Sequence, residues 1–239
     1  MTSPTDRAKR AAAHRAAAFV EDGMLVGLGT GSTAAFLVSR LGERVRDEGL
    51  RLTGVPTSSA TAALAREAGI AVAELDGARL DLTVDGADEV DRAFNLIKGG
   101  GGALLQERIV AAASDRVVII VDAAKRVEAL GAFPLPVEVV RFGWRSTAAL
   151  IDDALGRLGL PRGAGTLRAR DGSPFVTDEG HHVLDLRLGR IDDPRGLRLA
   201  LAQVPGVVES GLFVDVCDAL VVGDADGGAQ VVEKPQGGD

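Results

Sequence analysis

Residues 95–110, NLIKGGGGALLQERIV, set Lys98, four consecutive glycines and Glu107 in one short stretch. Glycine has the most freedom to lose on folding, so Gly99–Gly102 are the costliest four residues the chain could fix there. Two reasons would offset that cost: a backbone path that excludes a Cβ, or a ligand that needs bare backbone amides. With a helix starting near Ala103, Glu107 has Ala103, Leu104, Val110 and Ala111 as its helical neighbours. A carboxylate in that company is partly desolvated, which lifts it from a free value of ~4.3 toward the range of a general base, while the nearby helix N-terminus pulls the other way. The plain alternative is a surface ion pair between Glu107 and Arg108 or Arg116.

Two further segments carry chemistry. DGADEVD (85–91) spaces Asp85 and Asp88 three residues apart, which suits a helix cap, a solvated acidic turn or a Mg²⁺ site. GLGTGSTAAF (27–36) has the composition of a phosphate cradle: Gly29 and Gly31 permit tight backbone, and Thr30, Ser32 and Thr33 offer hydroxyls and amides at a helix start. A Gly-rich turn followed by a Ser/Thr cap explains this segment equally well. The dinucleotide fingerprint fails here, because Ser32 or Ala34 stands where its last glycine belongs, and the P-loop spacing fails too. Of 27 basic residues only Lys9, Lys98, Lys125 and Lys234 are lysines, and two of these fall in candidate segments. His14, His181 and His182 offer no metal-ligand spacing.

The elements that must position these residues alternate. MLVGL (24–28), LRLTGV (50–55), LDLTVD (80–85) and RVVIIVD (116–122) read as buried strands, with helical stretches at 32–49, 59–69 and 103–114. The pattern predicts an α/β fold: a Rossmann-like, doubly wound, mainly parallel sheet. In such sheets ligands bind beyond the carboxyl ends of the strands. GTGST (29–33), PTSSAT (56–61), DGADEVD and DAAK (122–125) all fall there, and four such termini indicate a site. Residues 137–205 read as strand, helix (145–158), two strands with a turn at Asp178–Gly180, and helix (194–203), a small α+β, ferredoxin-like unit. The expected division is a catalytic domain over 1–130, rejoined by about 206–239 through the strands DALVVGD and AQVVEKP, and a small domain over 131–205 used for assembly. The tail 236–239 is expected to fray.

With 46% hydrophobic residues, 3% aromatics and a net charge of −7, the chain lacks the basic face that nucleic acid or a membrane surface requires. No signal peptide or membrane span is expected, and the setting reads as cytoplasmic. The single Cys217, in a strand-like run, is expected to be buried and inert.

Taken in order, GLGTGSTAAF, VPTSSAT, TVDGADEVD, LIKGGGGALLQERIV, VDAAKRV, FPLPVEVV, VTDEGHHVLD and PGVVESGLF resemble the A-type ribose-5-phosphate isomerases from about residue 9 to the EKP near the C-terminus. DGADE followed closely by KGGGGAL and a glutamate is the specific part. The resemblance implies interconversion of ribose 5-phosphate and ribulose 5-phosphate in the non-oxidative pentose phosphate pathway. It proceeds through an enediol(ate), with no metal and no cofactor, in a homodimer or homotetramer. It makes Glu107 the base between C1 and C2, with Asp85, Asp88 and Lys98 assisting ring opening and proton movement. Thr30, Gly31, Ser32 and Thr33 would hold substrate, Lys9 and Lys125 would add positive charge, and Gly86, Ala87, Gly99, Gly100 and Gly101 would line the site.

Arg108 stands where the family commonly has lysine, Ala124 where serine is common, and EGHH replaces a commoner Asn-Gly-Asn-type turn. Three other readings stay open on the residues alone: a different sugar-phosphate isomerase or lactonase, a non-catalytic sugar-phosphate sensor without its DNA-binding segment, and a nicotinamide-dependent oxidoreductase.

Overall fold

The computed structural model describes residues 3–235, so the expected frayed tail 236–239 lies outside the described residues. In chain order the elements are α1 (Pro4–Ala17), β1 (Leu25–Leu28), α2 (Ser32–Glu48), β2 (Thr53–Pro56), α3 (Ser59–Glu67), β3 (Ala71–Val72), β4 (Leu82–Gly86), β5 (Glu89–Val90), β6 (Leu96–Ile97), α4 (Leu104–Ala112) and β7 (Val117–Asp122). A short 3-10 helix, Ala123–Lys125, precedes β8 (Leu135–Val139), α5 (Trp144–Arg157), β9 (Gly165–Leu167), β10 (Ala169–Arg170), β11 (Ser173–Pro174) and β12 (His182–Leu186). The chain closes with α6 (Pro194–Ala202), β13 (Val207–Ser210), β14 (Leu212–Phe213), β15 (Ala219–Gly223) and β16 (Ala229–Glu233). It divides into two compact units, one of residues 1–87, 106–126 and 216–239, the other of 88–105 and 127–215.

The first unit is built on a seven-stranded sheet in the order β16-β15-β7-β4-β1-β2-β3. Every pairing is parallel except β15 with β16. From β1 the chain moves outward through β2 to β3, then returns to place β4 on the other side of β1. That reversal is the topological switch point of a doubly wound sheet, where ligand crevices open beyond the carboxyl ends. On one face, Val26, Leu28, Val84, Val118, Ile120 and Val221 pack with Ala12, Ala16, Leu37 and Leu41 of α1 and α2. Gly27 and Thr83 face the other way, toward Val110 of α4, as strand alternation requires.

Helix α1 was not anticipated from hydrophobic periodicity, yet its signals are present. The Ser3 side chain accepts from the Asp6 N–H, Pro4 opens the helix, and Ala8, Ala12, Ala13, Ala16 and Ala17 form its buried face. Expected strand 50–55 begins only at Thr53, because the Leu50 N–H bonds back to the Arg44 carbonyl in the turn that ends α2. Cys217 lies in the loop before β15 rather than in a strand. It is buried, and burial pushes its thiol up to about 12.

The second unit holds a four-stranded sheet in the order β13-β8-β12-β9, antiparallel throughout. With α5 and α6 its order is βαββαβ, the ferredoxin-like arrangement. The sequence reading missed its last strand, β13, and the β10–β11 hairpin, which turns at Asp171 and Gly172 with φ of 53° and 77°. A second small sheet, β14-β6-β5, carries Lys98 at its end.

The glutamate of DGADE is a fold residue. Buried Glu89 accepts the Gly131 N–H at 2.7 Å and the Phe133 N–H at 2.6 Å, one on each carboxylate oxygen. Glu89→Ala strands both donors, and urea unfolding should lose roughly 1–3 kcal/mol; unchanged stability would show that water replaces the carboxylate.

Candidate active site

In the first unit the site begins where β1 meets α2. Gly31, with φ of 111°, precedes Ser32, the first helical residue, so the amides of a helix N-terminus open at the end of β1. Asp85, 2% exposed near the end of β4, reaches across to this turn. Its Oδ1 accepts the Thr30 N–H at 3.1 Å and the Gly86 N–H at 2.7 Å. A Cβ on Gly29 would lie 2.0 Å from that same oxygen, so only glycine lets the two strand ends approach this closely.

The Thr30 hydroxyl donates to Ser58 Oγ at 2.8 Å and lies 2.8 Å from Thr57 Oγ1 and 3.2 Å from Thr61 Oγ1. Thr61 in turn donates to the Gly29 carbonyl. Lys9 on α1 donates to Ser32 Oγ at 2.9 Å. Thr33 is half-buried in the first turn of α2. Lys125 sits on the 3-10 helix that Asp122 caps through the Ala124 N–H. That hydrogen bond uses main chain at position 124, so alanine there preserves it.

Helix α4 starts at Leu104, one residue later than expected, and Glu107 falls in its first turn at 3% exposure. Arg116, offered as its surface partner, instead pairs with Glu233 at 2.7 Å.

In the second unit, Asp88 and the glycine run are tied together: Asp88 Oδ2 accepts the Gly100 N–H at 2.8 Å. A Cβ on Gly100 would stand 2.6 Å from Asp88 Oδ1. Gly99 and Gly102 take left-handed φ of 96° and 88°, while Gly100 and Gly101 are exposed. Lys98 is 3% exposed, and its Nζ lies 5.4 Å from the centre of the Phe213 ring. Attraction to the aromatic face offsets part of the cost of taking an ammonium out of bulk water.

Residues 53–227 match the model of the family described as Ribose 5-phosphate isomerase A (phosphoriboisomerase A). The chain belongs to the ribose 5-phosphate isomerase A family. A curated relative from Ruegeria sp. (strain TM1040), Ribose-5-phosphate isomerase A, is 61% identical over 98% of this chain and 90% of its own length. A solved D-ribose-5-phosphate isomerase in complex with phospho-erythronic acid is 37% identical, with a TM-score of 0.88 over 98% of this chain and 100% of that one. The ribose 5-phosphate isomerase of Plasmodium falciparum is 31% identical, with a TM-score of 0.90 over 97% of this chain and 100% of that one.

Within this isomerase family member, Lys9, Thr30, Gly31, Ser32, Thr33, Asp85, Gly86, Ala87, Glu107 and Lys125 lie in the first unit. Asp88, Lys98, Gly99, Gly100 and Gly101 lie in the second. The chain links the two sets directly, from Ala87 to Asp88 and from Leu105 to Gln106 inside α4. Among the described residues no group of three or more His, Cys, Asp or Glu is placed to hold a metal ion.

The sequence reading noted Thr57 and Ser58 at the end of strand 50–55 and Thr61 only as part of its segment; the convergence of all three on Thr30 was not anticipated. The histidine pair serves the small unit. His181 Nδ1 lies 2.9 Å from Glu138 Oε1, which also accepts from Thr177, and His182 packs edge-on to Trp144. Burial pushes the Glu138 carboxyl up. Gly29→Ala must displace Asp85; with Asp85 in the substrate-facing role that the family resemblance implies, turnover should fall by about 10²-fold, the scale of a misplaced group, and steady-state kinetics showing wild-type kcat would contradict this account of Gly29.

Proposed function

We propose that the chain interconverts D-ribose 5-phosphate and D-ribulose 5-phosphate by proton transfer through a cis-enediol(ate). Glu107 removes the proton from C2 of the open-chain aldose and returns it at C1. The conjugate acid it becomes is less disfavoured in a buried setting than a carboxylate would be, so burial supports the base role. Lys98 and the amides of the glycine run lower the energy of the enediolate oxygen, the position where a preorganised donor has most effect. Asp85 and Asp88 assist ring opening and move protons at the sugar oxygens. Thr30, Gly31, Ser32 and Thr33 hold substrate at the start of α2, with Ser32 and Thr33 on the phosphate, and Lys9 and Lys125 add charge.

The observation that carries the proposal is the family match over residues 53–227, a span that contains Asp85, Asp88, Lys98, Glu107 and Lys125, together with the burial of Glu107 on the first turn after the glycine run. The base and the oxyanion donors come from the chain itself, so the scheme uses no metal and no cofactor. A homodimer or homotetramer belongs to the same proposal, as does a cytoplasmic place in the non-oxidative pentose phosphate pathway. Among the described residues no helix is long and apolar enough to cross a membrane. Assembly through the small unit is supported by its exposed apolar side chains, among them Phe142 at 94% and Leu199 at 57%.

Glu107→Gln should lower kcat by at least ~10²-fold with substrate binding kept. Lys98→Ala should lose about 10²–10³-fold, and EDTA should leave the wild-type rate unchanged. Kinetics on purified variants check all three; near-normal turnover by Glu107→Gln would remove Glu107 from its role.

A further inference from the structure

The glycine run needs something to hold its main chain, because glycine supplies no side chain of its own. In the second unit that holder is Arg168, on the residue between β9 and β10. Its Nη1 donates to the Gly99 carbonyl at 2.8 Å and to the Gly100 carbonyl at 3.1 Å. The rest of the guanidinium is a fork on Asp185 of β12, Nε to Oδ2 at 2.9 Å and Nη2 to Oδ1 at 2.5 Å. The Arg168 side chain is only 14% exposed, and its own N–H is tied to the Val183 carbonyl at 2.8 Å. Phe175 lies beside it: the guanidinium carbon is 5.8 Å from the ring centre, and the ring edge fills the space a Cβ on Gly102 would need.

Peptide planarity turns this clamp into a directional device. In a trans peptide the carbonyl of one residue and the N–H of the next point in opposite directions, and the described chain has no cis peptide. Drawing the Gly99 carbonyl onto Arg168 therefore aims the Gly100 N–H the other way, where it meets Asp88 Oδ2 at 2.8 Å. Drawing the Gly100 carbonyl onto the same guanidinium aims the Gly101 N–H away from it in the same manner. Carbonyl oxygens turned toward a developing enediolate would raise its energy, and the clamp keeps two of them turned elsewhere.

We infer that Arg168, oriented by Asp185, is a positioning residue for isomerisation: it fixes the direction of the Gly100 and Gly101 amides and, through Gly100, the Asp88 carboxylate. The inference rests on the proposed reading of Asp88, Lys98 and the glycine run as substrate-facing groups. Lysine cannot reproduce the clamp, because a single ammonium lacks the planar fork that engages two carbonyls and a carboxylate together.

The test is steady-state kinetics with ribose 5-phosphate on Arg168→Ala, Arg168→Lys and Asp88→Asn, with circular dichroism on each. Arg168→Ala should lose about 10²-fold in kcat with KM little changed, the signature of misplaced rather than missing binding groups. Low-millimolar guanidinium chloride should restore part of that loss, and should restore nothing to Glu107→Gln. Wild-type kcat in folded Arg168→Ala overturns the inference, as does a loss that guanidinium does not relieve and that follows the unfolded fraction. If Arg168→Ala fails to fold, Arg168→Lys decides: reduced kcat with a native spectrum supports positioning, and wild-type kcat overturns it. Asp88→Asn separates the two levels. Impaired Asp88→Asn beside normal Arg168 variants defeats this inference alone, whereas normal Asp88→Asn defeats the reading of the site beneath it.

Discussion

The carboxylate of Asp85 closes the gap between β1 and β4, and the turn from β1 into α2 is organised around that contact. Two main-chain amides, those of Thr30 and Gly86, converge on one of its oxygens. The arrangement requires parallel neighbours in register, which the Leu28–Val84 pairing supplies, and it requires glycine at position 29. A carboxyl buried at a strand end is costly without hydrogen-bond partners, and the two main-chain N–H groups supply part of what it needs. The turn is thereby fixed before α2 begins, so the start of that helix presents its free amides in one orientation. The hydroxyls of Thr57, Ser58 and Thr61 hold Thr30 from the neighbouring strand end in the same sense.

The question posed by four consecutive glycines has a divided answer. Gly99 and Gly102 are required by left-handed backbone, and Gly100 by the approach of Asp88. Those are reasons of chain path. Gly101 stands exposed beside Gly100. Chain path therefore accounts for Gly99, Gly100 and Gly102, and the main chain is left exposed at Gly100 and Gly101. A loop without side chains has little to hold it in place, which is why the second unit turns a half-buried arginine onto its carbonyls. Rigid placement and bare backbone, normally in conflict, are reconciled by that division of labour.

How much of this was legible beforehand follows from the range of each signal. The run VVIIV announced β7 because a parallel strand buried on both faces is continuously apolar. The polar strand ends drew attention to one edge because parallel strands deliver their carboxyl ends there, and the motif order carried the family. The two-residue strands β3, β5 and β6 were too short to show any period. Glu89 was hidden among acidic neighbours that look like a solvated turn, while its actual partners lie some forty residues away at Gly131 and Phe133. Arg168 left no trace at all: it sits in a polar hairpin, and its connection to Gly99 spans 69 residues. Long-range polar pairing has no local pattern, so the residues that support the site were less visible than those that form it.

The central claim is proton transfer through an enediol(ate) by a side-chain base, without metal or redox cofactor. Its most direct test is to incubate the purified protein with ribose 5-phosphate and EDTA in D₂O, without NAD, and to follow both sugars by NMR. The account predicts that ketose forms and that deuterium enters at the carbon that receives the migrating proton, because a carboxyl proton exchanges with solvent. Ketose formed with the original C2 hydrogen wholly retained would indicate direct hydride migration and contradict the base mechanism. Binding of the sugar phosphate with no turnover and no exchange would contradict the catalytic reading itself.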